Sequence, residues 1–409
     1  MSRSALWRAS LTLLTGSVAA QALPLLLGPW LTRLYDPEAY GRFSLVWSVA
    51  INLAVVGSAR YEFALPLASD DEEAARLAAI CTRLVAISTA AACFIGAVWA
   101  FCTGETLAWA LPVAVLASSS VQALTMWATR AQAFGWLSAS RVLQHGGGAV
   151  LQVVLGLAAW GVAGLWWGAI TAAVLAALAL AATTRPKAGW LVLAGLPAPT
   201  LWATAKAYRD FPLLNTPHAF VATAQDTLTL LLLSAWLGDA SAGLWALALR
   251  YLKAPATLVG GAVSSALYPQ LTQALDPQES RRHLRHTMVV LMWMGLGWAG
   301  LLMLAGPTLF AWAFGESWRE AGYLAQALGP YLALHFVASP LGVVTMAWRA
   351  QAWALRLSVL GLLLFAGGLI VGLAIGGLVA AGWGVSVAML GYFGYYLGTL
   401  WRWPVSTRS

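Results

Sequence analysis

Apolar runs of about 20 residues, the length a helix needs to cross the hydrocarbon core of a bilayer, recur along the chain between short polar turns. They predict twelve membrane-spanning helices, at 10–31, 40–58, 77–101, 107–127, 142–160, 165–182, 216–237, 242–262, 287–309, 323–344, 357–375 and 379–400. The punctuation carries its own chemistry. Asp36-Pro37-Glu38 turns the chain into the second span, and Ser69-Asp70-Asp71-Glu72 reads as a capping box opening the third, because helix N-termini favour carboxylates. The stretch 188–208, with Trp190, Pro197, Pro199 and Trp202, has too short an apolar run to span and reads as an interfacial linker. The expected organisation is an N-terminal six-helix lobe over 1–183, a cytoplasmic interfacial linker over 184–210 and a C-terminal six-helix lobe over 211–409.

Composition agrees with the pattern. With 60% hydrophobic and 9% charged residues in 409, the chain has too little polar surface for a soluble protein, so it reads as an all-α polytopic membrane protein. A net charge of +8 does not imply nucleic acid, because the basic residues flank apolar runs and build no basic face. Of the 23 Lys and Arg, only Arg33, Arg42 and Arg319 fall on the side opposite the termini, which puts both termini in the cytoplasm by the positive-inside rule. The first apolar run begins like a secretory signal but continues to Leu31, and is expected to stay as an uncleaved first helix. Cys81, Cys93 and Cys102 fall on one predicted helix, with neither a disulfide framework nor metal-ligand spacing. Neither a metal nor a cofactor is expected.

Charge within the spans is the informative exception. Asp226 sits near the middle of the seventh span, and Arg250 and Lys253 near the middle of the eighth, where each charge costs on the order of 2.5 to 3.5 kcal/mol on insertion scales. Two readings stand: a polar pathway inside a helix bundle, or Asp226 paired with a basic residue as a structural bridge. Gln21, Asn52 and His335 complete a polar layer near mid-depth in the first, second and tenth spans. Gln21 and Asn52 are either interhelical hydrogen-bond partners or cavity ligands. His335 is either a buried structural histidine or, with Asp226, a proton-coupling residue. Arg250 and Lys253, three residues apart, share one helix face, and Pro255 just beyond them can kink that helix.

The chain also repeats. Val18 to Leu45 aligns with Val221 to Leu247, matching Gln21 with Gln225, Asp36 with Asp239 and Gly41 with Gly243. Duplication after six helices relates the lobes by a pseudo-two-fold axis along the membrane normal, with a substrate site expected between them near mid-depth.

The blocks LTRLYDPEAYGRFSLVWSVAINLAVVGSARYEFALPLASDDEEA (Leu31 to Ala74), AYRDFPLLNTPHAF (Ala207 to Phe220) and LWALALRYLKAPATLVGGAVSSALYPQL (Leu244 to Leu271) closely resemble bacterial oligosaccharide flippases of the Wzx type. These belong to the multidrug/oligosaccharidyl-lipid/polysaccharide (MOP) exporter superfamily. The resemblance implies a fold like that of multidrug exporters in that superfamily, a place in the bacterial inner membrane, and flipping of undecaprenyl-diphosphate-linked oligosaccharide by alternating access for O-antigen, capsule or exopolysaccharide synthesis. It implies membrane lipids and a polysaccharide polymerase complex as partners. The lipid II flippase, a more distant relative, has an arginine followed five residues later by proline in helix eight, the spacing of Arg250 and Pro255; there the arginine lines a cationic cavity. That relative's helix-one arginines have no counterpart in 10–31, which makes Arg33, Arg42 and Arg60 the candidates to replace them. The substrate-binding candidates are therefore Arg250, Lys253, Arg42, Arg60, Gln21 and Asn52, and the coupling candidates Asp226 and His335. A lipid II flippase, an ion-coupled multidrug exporter and a membrane-embedded glycosyltransferase or polymerase are the alternatives. The last would need paired carboxylates at an interface, which the sequence lacks.

Overall fold

A computed structural model describes residues 3–184, 197–273, 277–348 and 350–403. Arg185, Pro186, Lys187, Trp190 and Arg349 lie outside the described residues. Every regular element among the described residues is helical, and each predicted span falls largely on helix. Among the described residues, six helical segments are long and apolar enough to cross a membrane on length and composition: 71–103, 106–130, 162–183, 211–237, 278–314 and 356–402. The chain forms two compact units, Met1–Leu228 and Thr229–Ser409.

The first unit comprises α1 (Arg3–Leu34), α2 (Pro37–Val55), α3 (Asp71–Thr103), α4 (Leu111–Arg130), α5 (Phe134–Arg141), α6 (Gly148–Leu157), α7 (Val162–Thr183), the short α8 (Ala198–Ala207) and the start of α9 (Thr216–Leu237). Local chemistry sets the boundaries. Asp36 caps α2 by accepting a hydrogen bond from Ala39 N at 2.7 Å, with Pro37 in the first turn. Asp70 caps α3 through Glu73 N at 2.7 Å, and Glu73 reaches back to Ser69 N at 2.8 Å, so the reciprocal box forms one residue on from the predicted one. Arg130 clasps the end of α4 to this turn, donating to Ala68 O at 2.6 Å and Asp70 O at 2.9 Å.

Inside the unit, Trp166 of α7 is fully buried and meets Phe43 and Trp47 of α2 edge to face, at centroid distances of 5.8 and 5.9 Å. Two side chains link neighbouring helices by hydrogen bonds. The Tyr35 hydroxyl donates to Gln152 O at 2.8 Å, and Gln152 Nε2 donates to Leu165 O at 2.8 Å, joining the end of α1 to α6 and α7. The helix α8 buries Leu201 in the cluster around Leu77, Ile80 and Tyr61 and leaves Trp202 exposed.

Three boundaries differ from the sequence expectation. The second span ends at Val55, three residues early; Ala59 and Arg60 then take left-handed conformations (φ 48° and 62°) and a 3₁₀ helix follows over Tyr61–Leu67. The fifth span begins earlier and contains a π-helical turn, Val142–Gly147, between α5 and α6. The tenth stops at Ala338, because Pro340 lacks the N–H that would continue the ladder.

The second unit holds the end of α9, then α10 (Asp239–Gln273), α11 (Pro277–Phe314), α12 (Arg319–Ala338), the short α13 (Gly342–Ala347) and α14 (Gln351–Arg402). α12 sits at its centre, packed on α10, α11 and α14. α14 is broken at Gly376 and Gly377, the latter at φ 81°, and its two arms return on each other as the predicted eleventh and twelfth spans. The arms approach closely: a Cβ on Gly368 would stand 2.5 Å from Gly384 O.

Candidate functional site

Two constellations of polar side chains emerge, one in each unit. In the first unit, α1, the 3₁₀ helix, α4 and the π turn enclose a cavity of 440 Å³. Gln21 of α1, Gln122 of α4 and Gln144 of the π turn line it, with Ser118, Glu62 and Phe63. Gly146 of the π turn packs against Leu23 of α1, where a Cβ would meet Leu23 Cδ1 at 2.6 Å. Arg141, just before the turn, donates to Ser17 Oγ of α1 at 2.8 Å.

Glu62 is 1% exposed. Its Oε2 accepts a short hydrogen bond from Ser58 Oγ, and its Oε1 lies 3.6 Å from Arg60 Nη1 without a hydrogen bond. Burial pushes the Glu62 carboxyl above the usual carboxylate range, and the Ser58 hydroxyl and Arg60 guanidinium oppose that shift without cancelling it. The left-handed Arg60 also carries its guanidinium over the Phe63 ring, 5.0 Å from the centroid.

The sequence candidates fall into different surroundings. Gln21 lines the cavity and Asn52 is buried in α2. Arg60 pairs with Glu62 at the cavity wall. Arg42 forms a two-pronged ion pair with Glu105, Nε to Oε2 at 2.8 Å and Nη2 to Oε1 at 3.0 Å, tying the start of α2 to the turn between α3 and α4. Asp226 is exposed on α9.

In the second unit α10 runs unbroken through Pro255 and carries Arg250 and Lys253, both half-buried. Lys253 lies within electrostatic reach of His335 on α12. The His335 ring rests against Tyr331 at 5.5 Å and Phe393 at 6.1 Å between centroids, and Trp298 Nε1 donates to Leu252 O at 3.3 Å between the two cations of α10.

Sequence reasoning missed Glu62, Gln122 and Gln144. The two amides lie near the ends of the predicted spans 107–127 and 142–160, away from the mid-depth layer that selected Gln21. Glu62 was hidden because YEFALPL carries neither strand nor α-helix periodicity, and only the left-handed turn before it brings the carboxylate inward.

A helical multi-pass membrane protein of this architecture has the fold of MOP-superfamily transporters. The chain superposes on an inward-facing multidrug resistance MATE family transporter of that superfamily with a TM-score of 0.68 at 15% identity, covering 93% of each chain. It superposes on the lipid II flippase MurJ, in an inward closed conformation, with a TM-score of 0.73 at 13% identity, covering 94% of this chain and 87% of that one. A MOP superfamily transporter from Pyrococcus furiosus, described as having a binding pocket of reverse polarity, gives 0.54 at 14% identity over 96% of each. No curated protein sequence matches the chain. The family profile described as polysaccharide biosynthesis protein matches residues 30–322, more than half of the chain, and the protein belongs to that family.

Proposed function

We propose that the protein translocates an oligosaccharide carried on undecaprenyl diphosphate across the bacterial inner membrane, by alternating access and without covalent chemistry. The observation that carries this reading is the pair Arg250 and Lys253: two cations on one face of α10, half-buried in a chain of the polysaccharide biosynthesis family. Fixed cations suit a diphosphate, while a polyprenyl tail can stay in lipid. A multidrug cation exporter calls for carboxylates instead, and Asp226 is the one carboxylate that the sequence sets at mid-depth. Both termini lie in the cytoplasm in this reading, Asp226 and His335 couple transport to the proton gradient, and a polysaccharide polymerase takes the product on the far side.

The test is the chemistry of Arg250. A guanidinium holds a phosphate by paired hydrogen bonds, whereas an ammonium is a point donor. Arg250→Ala therefore abolishes polysaccharide export at normal protein abundance, Arg250→Lys restores it only weakly, and Lys253→Ala is milder. Loss of abundance in Arg250→Ala, with recovery of both abundance and export on adding Asp226→Asn, would show that Arg250 serves the fold instead.

A further inference from the structure

We propose that the cavity of the first unit binds a sugar ring of the transported head group, recognising its hydroxyls through Gln21, Gln122 and Gln144. The inference rests on the lipid-linked saccharide reading above.

Three amides from three elements converge on this cavity, and among the described residues none of them makes a side-chain hydrogen bond to the protein. Gln122 and Gln144 are half-buried and Gln21 is exposed, whereas an amide inside a helix bundle commonly bonds a neighbouring helix. This chain does so elsewhere: Gln152 bonds Leu165 O, and Gln326 bonds Met303 O at 2.7 Å. Three amides open to one space can together hydrogen-bond a ligand that enters it.

The chemistry of the lining selects the ligand class. Each amide offers donors and an acceptor, the complement of a hydroxyl that both donates and accepts. The wall also carries Arg141, bonded to Ser17 Oγ, Glu62, bonded to Ser58 Oγ, and His145, and the three amides lie among them as neutral donors and acceptors. Ser118 Oγ, buried without a partner, adds a further hydroxyl, and the Phe63 ring supplies an apolar surface of the kind that packs on the C–H face of a pyranose. The volume of 440 Å³ falls within the range of small-molecule sites, about 300 to 1,000 Å³. The π turn that presents Gln144 is a second, independent sign, since single π turns within α-helices concentrate at functional sites.

The experiment compares two lipids on the full-length protein in nanodiscs by native mass spectrometry: undecaprenyl diphosphate, and the same lipid bearing one N-acetylglucosamine. The wild type prefers the sugar-bearing lipid by about tenfold, the worth of one or two neutral hydrogen bonds. The triple variant Gln21→Leu, Gln122→Leu, Gln144→Leu binds both lipids equally and the bare lipid as the wild type does. Each single Gln→Leu variant lowers the preference partway, which keeps the test usable if the triple variant misfolds. A preference that survives in the variants overturns the proposal, as does a wild type that binds both lipids equally; both results leave the flippase reading standing. Binding of neither lipid by a folded wild type removes that reading and the sugar site with it.

Discussion

Oε1 of Glu62 lies 3.6 Å from Nη1 of Arg60 while its Oε2 accepts a hydrogen bond from Ser58, so one buried carboxylate holds together both sides of the left-handed turn that ends α2. Ala59 and Arg60 occupy conformations unfavourable to non-glycine residues, and such turns persist only where surrounding contacts enforce them. Here the carboxylate supplies the contacts.

A pH signature follows. Burial raises the Glu62 carboxyl in the folded protein, which therefore keeps its proton to higher pH than the unfolded chain does. Unfolding then releases a proton, and stability falls as pH rises from the ordinary carboxylate range through the raised folded value. Thermal melts of the detergent-solubilised protein from about pH 4 to 8 are expected to show this decline in the wild type and a flatter profile in Glu62→Gln. A steeper decline in the variant contradicts the assignment.

Arg42 and Glu105 are bound to each other by two hydrogen bonds, with Glu105 also accepting from Leu107 N at 3.1 Å. Arg42→Ala strips a largely buried carboxylate of its partner, and a double-mutant cycle with Glu105→Ala is expected to return a coupling of about 1 kcal/mol. The exchanged pair Arg42→Glu, Glu105→Arg should recover export if the pair serves the fold. Normal abundance without export in the exchanged pair would instead make Arg42 a substrate contact.

The arms of α14 meet at glycine. A Cβ on Gly384 would collide with the Gly368 carbonyl oxygen, whereas one on Gly391 would meet nothing within 4 Å. Gly384→Ala is expected to lower stability by about 1 to 3 kcal/mol through overpacking, and Gly391→Ala to be near neutral. Equal melting temperatures for the two variants contradict the close packing.

Topology is open to direct labelling. Cysteines at Asp70 and Arg282 should resist an impermeant thiol reagent in intact cells, while those at Glu105, Asp239 and Glu316 should react. The background must lack Cys93 and Cys102, which are exposed on α3. Labelling at Arg282 without permeabilisation contradicts cytoplasmic termini.

Much of the fold was legible because bilayer length and polar punctuation are local properties. Asp36, Asp70 and Gly377 mark their boundaries by caps and turns that a reader of the sequence can name. The π turn at 142–147 was not legible, since an inserted residue leaves the apolar run intact. Arg42 shows the same limit at the site: the family resemblance made it a candidate, and only the packing of the α3–α4 turn reveals Glu105 as its partner. Gln122 and Gln144 were legible singly as polar residues in apolar runs, but their convergence on Gln21 belongs to the fold.

Translocation itself is the most direct measurement. Proteoliposomes containing the purified protein and a fluorescently labelled undecaprenyl-diphosphate oligosaccharide report lipid movement as the fraction protected from an impermeant quencher. The account predicts that the wild type moves the lipid between leaflets, and that Arg250→Ala, incorporated equally, slows this by about tenfold or more, the worth of a charge-assisted contact to phosphate. Failure of the wild type to move the lipid-linked saccharide, with transport of a cationic drug such as ethidium in the same vesicles, would contradict it.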